Sequence, residues 1–344
     1  MQNRRDNPPP PPLLKALAAL FFLASTCLAQ STTLSSPTNI FAPASTPAKS
    51  ICSLSLFVIA ITAVIFIVVG SLLTYVVVKY RKRTDDDTRE PVQVYGSNRV
   101  EIAWTVIPIL IVVVLFMATA RVIANVQKAV PADAVHVTVI GHQFWWEYRY
   151  PGLKIVTANE LHVPIGVPTE LKLLSADTDH SFWVPRLAGK TDLIPNHPNV
   201  MWIEPQEPGL YLGQCAQYCG TQHAKMLLRV YVQSRDEFNQ WIQQQSQQPQ
   251  LSDAVSEGRR IFEATACVNC HTVAGTPAQG RFGPDLTHLM SRETIAAGIA
   301  ENSHENLRLW IQDPSRLKPG SLMPAMGFNE HDLNAVTAYL ETLR

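Results

Sequence analysis

The sequence predicts a multidomain chain, with a two-helix transmembrane hairpin, an all-β sandwich or barrel, and a small all-α domain. Two apolar runs, 51–78 and 102–124, carry no charge before Arg121, and each is long enough to cross a bilayer as a helix. Residues 135–234 contain short stretches with alternating apolar and polar residues, broken by Pro-Gly and Pro-Asn turns. Helical patterns then occupy the last ninety or so residues.

Composition narrows the function classes before any motif is considered. The 344 residues carry 28 basic and 28 acidic side chains, so the formal net charge is zero. Nucleic-acid binding is disfavoured because no basic surplus exists to neutralise phosphates. With 47% hydrophobic and 16% charged residues, the chain is also unlike a disordered protein.

The N-terminus is typical of a secretory signal peptide, predicted over residues 1–29. Arg4, Arg5 and Lys15 precede an apolar run at 17–28 that ends in small residues. An uncleaved additional span and a lipid anchor on Cys27 are alternatives. Residues 30–50 are rich in Ser, Thr and Pro, which predicts a linker.

The transmembrane hairpin is predicted over residues 51–126, and its connecting loop is basic. The stretch 79–83 contains four Lys or Arg residues, whereas the segment before the first span carries only Lys49 after the leader. The positive-inside rule therefore puts the loop in the cytoplasm and everything after residue 125 on the extracytoplasmic side. Asn98 and Glu101 stand three apart before the second span, which predicts an N-cap and its reciprocal carboxylate.

Two extracytoplasmic domains follow, predicted at 127–240 and 253–344. The first has the strand and turn spacing of an antiparallel sandwich or barrel. Residues 241–252 are a Gln-rich, low-complexity stretch, which predicts an interdomain linker. In the second domain, helices are predicted at 254–264, 292–300, 305–312 and 330–343.

The second domain contains a haem attachment pattern, Cys267-Val268-Asn269-Cys270-His271. The two thiols can bond covalently to a haem while the adjacent His271 supplies an axial nitrogen. A disulfide or a thioredoxin-like pair is the alternative, which the helical surroundings disfavour. Met323 is the preferred second axial ligand, with Met326 and Met290 as rivals, because a thioether raises the potential for electron transfer. The turn at Gly283-Pro284 offers a carbonyl that can hold the His271 ring.

The first domain contains a dense group of soft metal donors at residues 215–226. Cys215, Cys219, His223 and Met226 lie within twelve residues, and thiolates with imidazole favour copper. The second thiolate allows both sulfurs to bridge two copper ions. A second histidine has to come from elsewhere, and His180 is the candidate. A plain disulfide and a thioredoxin-fold copper chaperone are the alternatives.

These segments together resemble subunit II of the haem-copper cytochrome c oxidases, in the form with a fused cytochrome c domain. The resemblance is carried by five motifs: Glu101-Ile102-Ala103-Trp104-Thr105, Gly141-His142-Gln143, His180-Ser181, Lys190-Thr191-Asp192 and the 215–226 loop. It implies a cupredoxin-like domain and a class I cytochrome c domain in the cytoplasmic membrane of a bacterium. Implied partners are subunit I, subunit III and a c-type cytochrome or other electron donor.

The resemblance also implies roles for individual residues. A dinuclear CuA centre would be held by His180, Cys215, Cys219, His223, Met226 and the backbone carbonyl of Gln217. Electrons would pass from haem c to CuA and on to subunit I, where oxygen is reduced and protons are pumped. Glu101 would lie near the mouth of a proton path. No oxygen chemistry and no catalytic residue are expected in this chain alone.

Two departures from the family pattern stand out. Gln217 replaces a Glu whose carboxylate binds Mg at the subunit interface, which calls that Mg site into question here. Phe144 replaces the Trp through which a soluble cytochrome delivers electrons. Trp145 or Trp146 would then serve for electron input, or the fused haem domain, held nearby by a flexible linker, has relaxed the need for a docking surface.

Two other functions stay open at this point. The chain could be the CuA subunit of a nitric-oxide reductase, since the donor side of the chemistry is alike. It could also be a membrane-tethered copper-binding protein or metallochaperone. A quinol-oxidase subunit is excluded by the intact cysteines, which that branch lacks.

Overall fold

The computed structural model describes residues 37–81, 93, 95–249 and 253–344. The predicted signal peptide at 1–29 and the alternative lipid anchor on Cys27 lie outside the described residues, as does most of the loop between the two spans.

Two long helices form the predicted hairpin. Helix α1 spans Thr46–Lys79 and helix α2 spans Asn98–Val126, with mean hydropathies of 3.0 and 2.7 over their most apolar windows. The second helix does not begin as predicted. Its N-cap is Ser97 in an extended conformation, and Asn98 is already the first helical residue, so the predicted Asn98–Glu101 capping pair is wrong. Gly96, with φ of +108°, turns the chain one residue before the cap.

The predicted linker 30–50 is ordered at its C-terminal end, and α1 starts five residues before the apolar run. Ala44 and Ser45 are fully buried, and the Ala44 N–H donates to the Arg186 carbonyl at 2.8 Å. Ser45 also forms a β-bridge with Pro205. The chain is therefore attached to the β-domain immediately before it enters the first span, because small residues fit between the strands where larger ones would not.

The domain that follows the hairpin is a sandwich of two five-stranded sheets. The first sheet has the order β3-β2-β1-β5-β8, and its strands are β1 (Val135–His142), β2 (Trp145–Tyr150), β3 (Ile155–Ala158), β5 (Thr169–Ser175) and β8 (Asn199–Ile203). The second has the order β4-β10-β9-β6-β7, and its strands are β4 (Glu160–Pro164), β6 (His180–Trp183), β7 (Thr191–Leu193), β9 (Gly209–Cys215) and β10 (Leu227–Gln233). Alternate residues such as Val137, Val139, Leu171 and Leu173 are buried between the sheets.

The sheets are mixed, whereas the sequence predicted antiparallel pairing. Strands β1 and β5 are parallel, and so are β4 and β10. The chain leaves the first sheet after β3, runs through β4 in the second sheet, and returns as β5 beside β1 in the same direction. A crossover of this kind replaces a hairpin and leaves no distinct mark in the alternation pattern.

A helix occupies the start of the predicted Gln-rich linker. Helix α3 spans Arg235–Gln245 and begins with a capping box between Ser234 and Glu237. Its apolar face buries Phe238 and Trp241 against the sandwich, where Trp241 stacks on His162 at 4.5 Å. The linker boundary at 241 is therefore wrong, because three apolar residues are enough to anchor a helix whose other face is polar.

The last domain has its own apolar core. Its helices are α4 (Ser256–Ala264), α5 (Cys267–Cys270), α6 (His304–Gln312), α7 (Pro314–Leu317) and α8 (Glu330–Leu340). Helices α4 and α8 pack closely at Gly258, where a Cβ atom would come within 1.9 Å of the Ala335 carbonyl oxygen. Phe262 and Tyr339 fill the space beside this contact.

Residues 292–300, predicted as a helix, form a short hairpin instead. Strands β11 (Thr294–Ile295) and β12 (Ala300–Glu301) pair through a turn in which Ala296 and Ala297 have positive φ. The backbone N–H groups of Glu293 and Thr294 donate to the carboxylate of Glu160 in the sandwich. That contact with a residue 133 positions away outweighs the local helical pattern.

Candidate copper and haem sites

All six predicted copper donors lie together at one end of the sandwich. They are the side chains of His180, Cys215, Cys219, His223 and Met226 and the carbonyl of Gln217. Cys215 ends β9, His180 begins β6, and the other donors lie on the loop that leads to β10. The Ala216 N–H donates to the Ser181 carbonyl at 2.9 Å, and the Cys215 N–H donates to the Met226 carbonyl at 3.0 Å. Three neighbouring strands therefore fix the donors.

The distances fit a soft metal centre shared by the two sulfurs. The Sγ atoms of Cys215 and Cys219 are 3.8 Å apart, far beyond the roughly 2.05 Å of a disulfide bond. One ion at a typical metal–sulfur distance of about 2.3 Å could contact both. Cys215 Sγ lies 3.9 Å from His180 Nδ1, and Cys219 Sγ lies 3.7 Å from His223 Nδ1. Each sulfur therefore has its own imidazole, which suits a pair of ions.

The Met226 thioether and the Gln217 carbonyl each lie near a different one of the two sulfurs. Met226 Sδ lies 3.8 Å from Cys219 Sγ, and the Gln217 carbonyl lies 3.1 Å from Cys215 Sγ. Both cysteines and Met226 are buried. The pKa of Cys215 is lowered, chiefly by its hydrogen bond with the Cys219 thiol. The thiolate is the form that binds metal.

Asp177 orients His180 and was missed by the sequence analysis. Its Oδ1 lies 2.7 Å from His180 Nε2, so that nitrogen is the donor and Nδ1 is free to face the sulfurs. The backbone N–H groups of Gln143 and Thr178 also donate to this carboxylate. A Cβ on Gly141 would lie 2.8 Å from the His180 ring, so the ring rests directly on backbone. The only sequence signal was an acidic residue three positions before a candidate ligand.

The haem motif of the last domain has the expected local geometry. Cys267 and Cys270 lie on the single turn of α5, and His271 follows at once. His271 Nδ1 is 2.7 Å from the Pro284 carbonyl, as predicted for this turn. Because a carbonyl cannot donate, Nδ1 carries the proton and Nε2 is left for a metal. Burial lowers the pKa of His271, which keeps the ring neutral as a ligand must be.

An apolar cavity opens beside His271, and its walls are formed mainly by aliphatic and aromatic side chains. Both cysteines, Met323 and Met326 line it. The third candidate, Met290, packs against the core of the domain. The residues present therefore fit a haem that Cys267 and Cys270 would hold covalently, with His271 and either Met323 or Met326 available as donors to its iron.

The aromatic turn after β1 lies between the two sites. Phe144 and Trp145 line the haem cavity and are only 7% and 9% exposed. The Phe144 ring also lies against the loop of residues 215–226, called the copper loop below, since a Cβ on Gly220 would be 3.0 Å from that ring. Trp146 points the other way, into the sandwich, with its ring 6.1 Å from that of His180. The predicted input surface is thus covered by the last domain.

The β-sandwich and the last domain belong to one unit, Pro37–Arg344, and are joined by polar contacts. Glu160, 1% exposed, accepts from the Thr294 N–H at 2.9 Å and from its hydroxyl at 2.8 Å. Gln245 of α3 donates to the Ser291 hydroxyl at 3.0 Å. Contacts of this number and burial indicate a docked domain, in place of the flexible arrangement expected from the linker composition.

Glu101 lies in the first turn of α2, where its side chain approaches Gly96. It is exposed in the chain by itself.

Comparisons with known proteins cover the described domains in turn. Family models described as "Cytochrome C oxidase subunit II, transmembrane domain", "Cytochrome C oxidase subunit II, periplasmic domain" and "Cytochrome c" match residues 35–122, 153–233 and 255–344. A cytochrome c oxidase subunit 2 of Alkalihalophilus pseudofirmus is 37% identical over 83% of this chain and 85% of its own length. One from Bacillus sp. (strain PS3) is 36% identical over 77% of this chain and 80% of its own length.

A solved structure is also similar to part of the chain. The periplasmic domain of subunit II of cytochrome oxidase of Bradyrhizobium japonicum is 28% identical, covering 34% of this chain and 96% of that domain, with a TM-score of 0.33.

Proposed function

We propose, since this chain belongs to the cytochrome c oxidase subunit II family, that it is the subunit through which electrons enter a respiratory terminal oxidase. The family assignment makes it part of a membrane-anchored oxidoreductase that works with subunit I. When bound, haem c would pass single electrons to a dinuclear CuA centre, and from there to the oxygen-reducing site of subunit I with coupled proton pumping.

One observation carries this function most directly. The six copper donors and the haem cavity lie on opposite sides of a single aromatic turn, and Phe144 contacts both. A copper store or chaperone would have no need of a second cofactor site at this position. Buried, pre-positioned ligands also change little on reduction, which favours rapid electron transfer over metal release.

The side chains around the two sites hold geometry and exclude water. Asp177 and Gly141 fix the ring of His180, and Pro284 fixes the ring of His271. Phe144 and Trp145 fill the space between the domains with apolar rings. A dry, rigid contact between donor and acceptor keeps their separation constant and short.

The orientation and the partners follow from the same proposal. The basic stretch 79–83 faces the cytoplasm, so both metal domains lie on the outer side of a bacterial cytoplasmic membrane. Subunit III and a c-type cytochrome or other reductant are the further partners. The role of Glu101 near a proton path is proposed on the resemblance and on its place at the start of α2.

The test uses the purified complex with full-length subunit II carrying Cys215→Ser and Cys219→Ser. We expect two coppers per chain and a delocalised copper EPR signal in the wild type, and loss of both in the variant, with haem content unchanged. Electron transfer from reduced haem c to subunit I and oxygen uptake should fall together. Cys52→Ser, in α1, is the matched control.

Two results would overturn the proposal. One is undiminished oxygen uptake in the double variant, since the copper centre would then lie off the electron path. The other is turnover of nitric oxide in place of oxygen by the wild-type complex.

A further inference from the structure

The 317–320 segment of the last domain contacts the β-sandwich along its whole length. It follows α7 and leads, after a turn at Gly320 with φ of +85°, to Met323 in the haem cavity. Its backbone and one side chain contact the copper loop and the aromatic turn. The contacting groups on the copper side are the side chains of Thr221, Gln222 and Lys225 and the carbonyl of Phe144.

Two side chains of the copper loop donate to carbonyls of this segment. Gln222 Nε2 donates to the Pro319 carbonyl, and Lys225 Nζ donates to the Leu317 carbonyl at 3.4 Å. These residues flank the proposed ligand His223 on both sides. A Cβ on Gly320 would lie 3.1 Å from the Thr221 hydroxyl, so there is no free space between the two loops.

Lys318 makes the reciprocal contact from the haem side. Its Nζ donates to the Phe144 carbonyl at 2.7 Å and to the Ala296 carbonyl at 3.3 Å. The residue is 3% exposed, and burial lowers the pKa of its amine to about 7. An amine is rarely buried to this extent unless its partners are fixed, because its lost hydration must be replaced. Lys318 therefore joins three elements: the 317–320 segment, the β11–β12 hairpin and the aromatic turn.

We propose that Lys318 and Gln222 are positioning residues for the second axial ligand of the haem, so that the copper loop helps to set the haem potential. Only two residues separate the fixed Gly320 from Met323, and the Met323 N–H donates to Ser321 within that turn. A displacement of the 317–320 segment is therefore passed directly to the thioether. A weaker thioether–iron bond lowers the potential of a haem.

This inference rests on the proposed function, because it requires a haem in the cavity and Met323 as its ligand. It goes beyond that function in assigning control of one metal site to residues on the loop of the other.

The experiment measures the haem midpoint potential and the weak red-edge absorption band of a methionine–iron bond in the intact complex. Lys318→Met removes the amine and keeps most of the aliphatic side chain. Gln222→Ala removes the hydrogen bond that the copper loop donates to the Pro319 carbonyl. We expect each to weaken the band and to lower the affinity of the haem for an electron about tenfold, which is about 59 mV for one electron. Lys318→Arg, which retains a donor, should restore much of the band.

Matched controls distinguish the loss of these contacts from a general disturbance of the structure. Arg316→Met removes an exposed cation two residues before Lys318, and Gln214→Ala removes an exposed amide at the end of β9. Both should leave band and potential unchanged, and covalent haem and copper content should be the same in all variants. If both Lys318→Met and Gln222→Ala leave the band and potential at wild-type values, the inference is overturned. A wild-type complex with covalent haem but no such band would also overturn the inference, because it would exclude a methionine ligand, whereas a complex with no covalent haem would contradict the proposed function.

Discussion

Replacing Asp177 with alanine is expected to weaken copper binding without disturbing the haem. The Asp177 carboxylate accepts a hydrogen bond from His180 Nε2 at 2.7 Å and thereby turns Nδ1 towards Cys215. Although burial raises its pKa, hydrogen bonds from His180, Thr178 and Gln143 lower it on balance, so the group is a carboxylate at neutral pH. Removing it frees the ring to rotate and lowers the basicity of the ligating nitrogen.

The size of the effect follows from the kind of hydrogen bond lost. A hydrogen bond to a charged partner contributes about 1.5–3 kcal/mol, and loss of the group that orients a metal-bound histidine typically costs about 10- to 100-fold in affinity, or about 1.4–2.7 kcal/mol. Asp177→Asn keeps an acceptor but not the charge, and should cost less than tenfold.

The assay is copper retention by the purified complex against increasing concentrations of a chelator, with the haem spectrum as an internal measure of folding. Asp179→Ala is the control, because Asp179 is exposed and stands two residues away on the same loop. If Asp177→Ala and Asp179→Ala release copper at the same chelator concentration, the orienting role of Asp177 is refuted.

Two further predictions concern stability and haem ligation. Burial lowers the pKa of His162 to about 4, so below pH 6.5 the unfolded chain binds more protons and the wild type loses about 3 kcal/mol of stability by pH 4. His162→Phe should abolish that loss in denaturant unfolding, and an unchanged pH dependence would contradict it. Gly283→Ala puts a Cβ 2.6 Å from His271 Cε1 and should displace the His271 ring, which would be measured as a loss of the low-spin haem spectrum. Gly152→Ala, with open space around it, should leave that spectrum unchanged.

The grouping of the candidate metal donors was predictable because its information is local. The spacing of Cys215, Cys219, His223 and Met226 carries the donor chemistry within one loop, and Cys267 to His271 does so within five residues. The two spans were predictable for a similar reason, since length and hydropathy decide them without reference to any partner. His180 was harder to place, because it comes from another strand and only the strand order joins it to the loop.

What sequence reasoning missed depends on contacts between distant residues. The hairpin at Thr294–Glu301 forms where Glu160 binds its backbone, and no window around residue 294 contains that carboxylate. Helix α3 was missed because its glutamines resemble a linker. Its few apolar side chains, among them Phe238 and Trp241, are buried against the sandwich. The docking of the haem domain could not be read from either domain separately, because many of its polar contacts use backbone N–H and carbonyl groups that every sequence has.

Burial of Phe144 and Trp145 changes where a reductant can meet this chain. A freely diffusing carrier has to find the right face, deliver its charge and leave before the next arrives. If the proposed function holds, that cycle of encounter and departure has no place on the copper side, because the last domain covers this face. Under the proposed route, an external electron carrier would approach the chain at the open rim of the haem cavity, where Phe282 and Leu322 are 62% and 49% exposed.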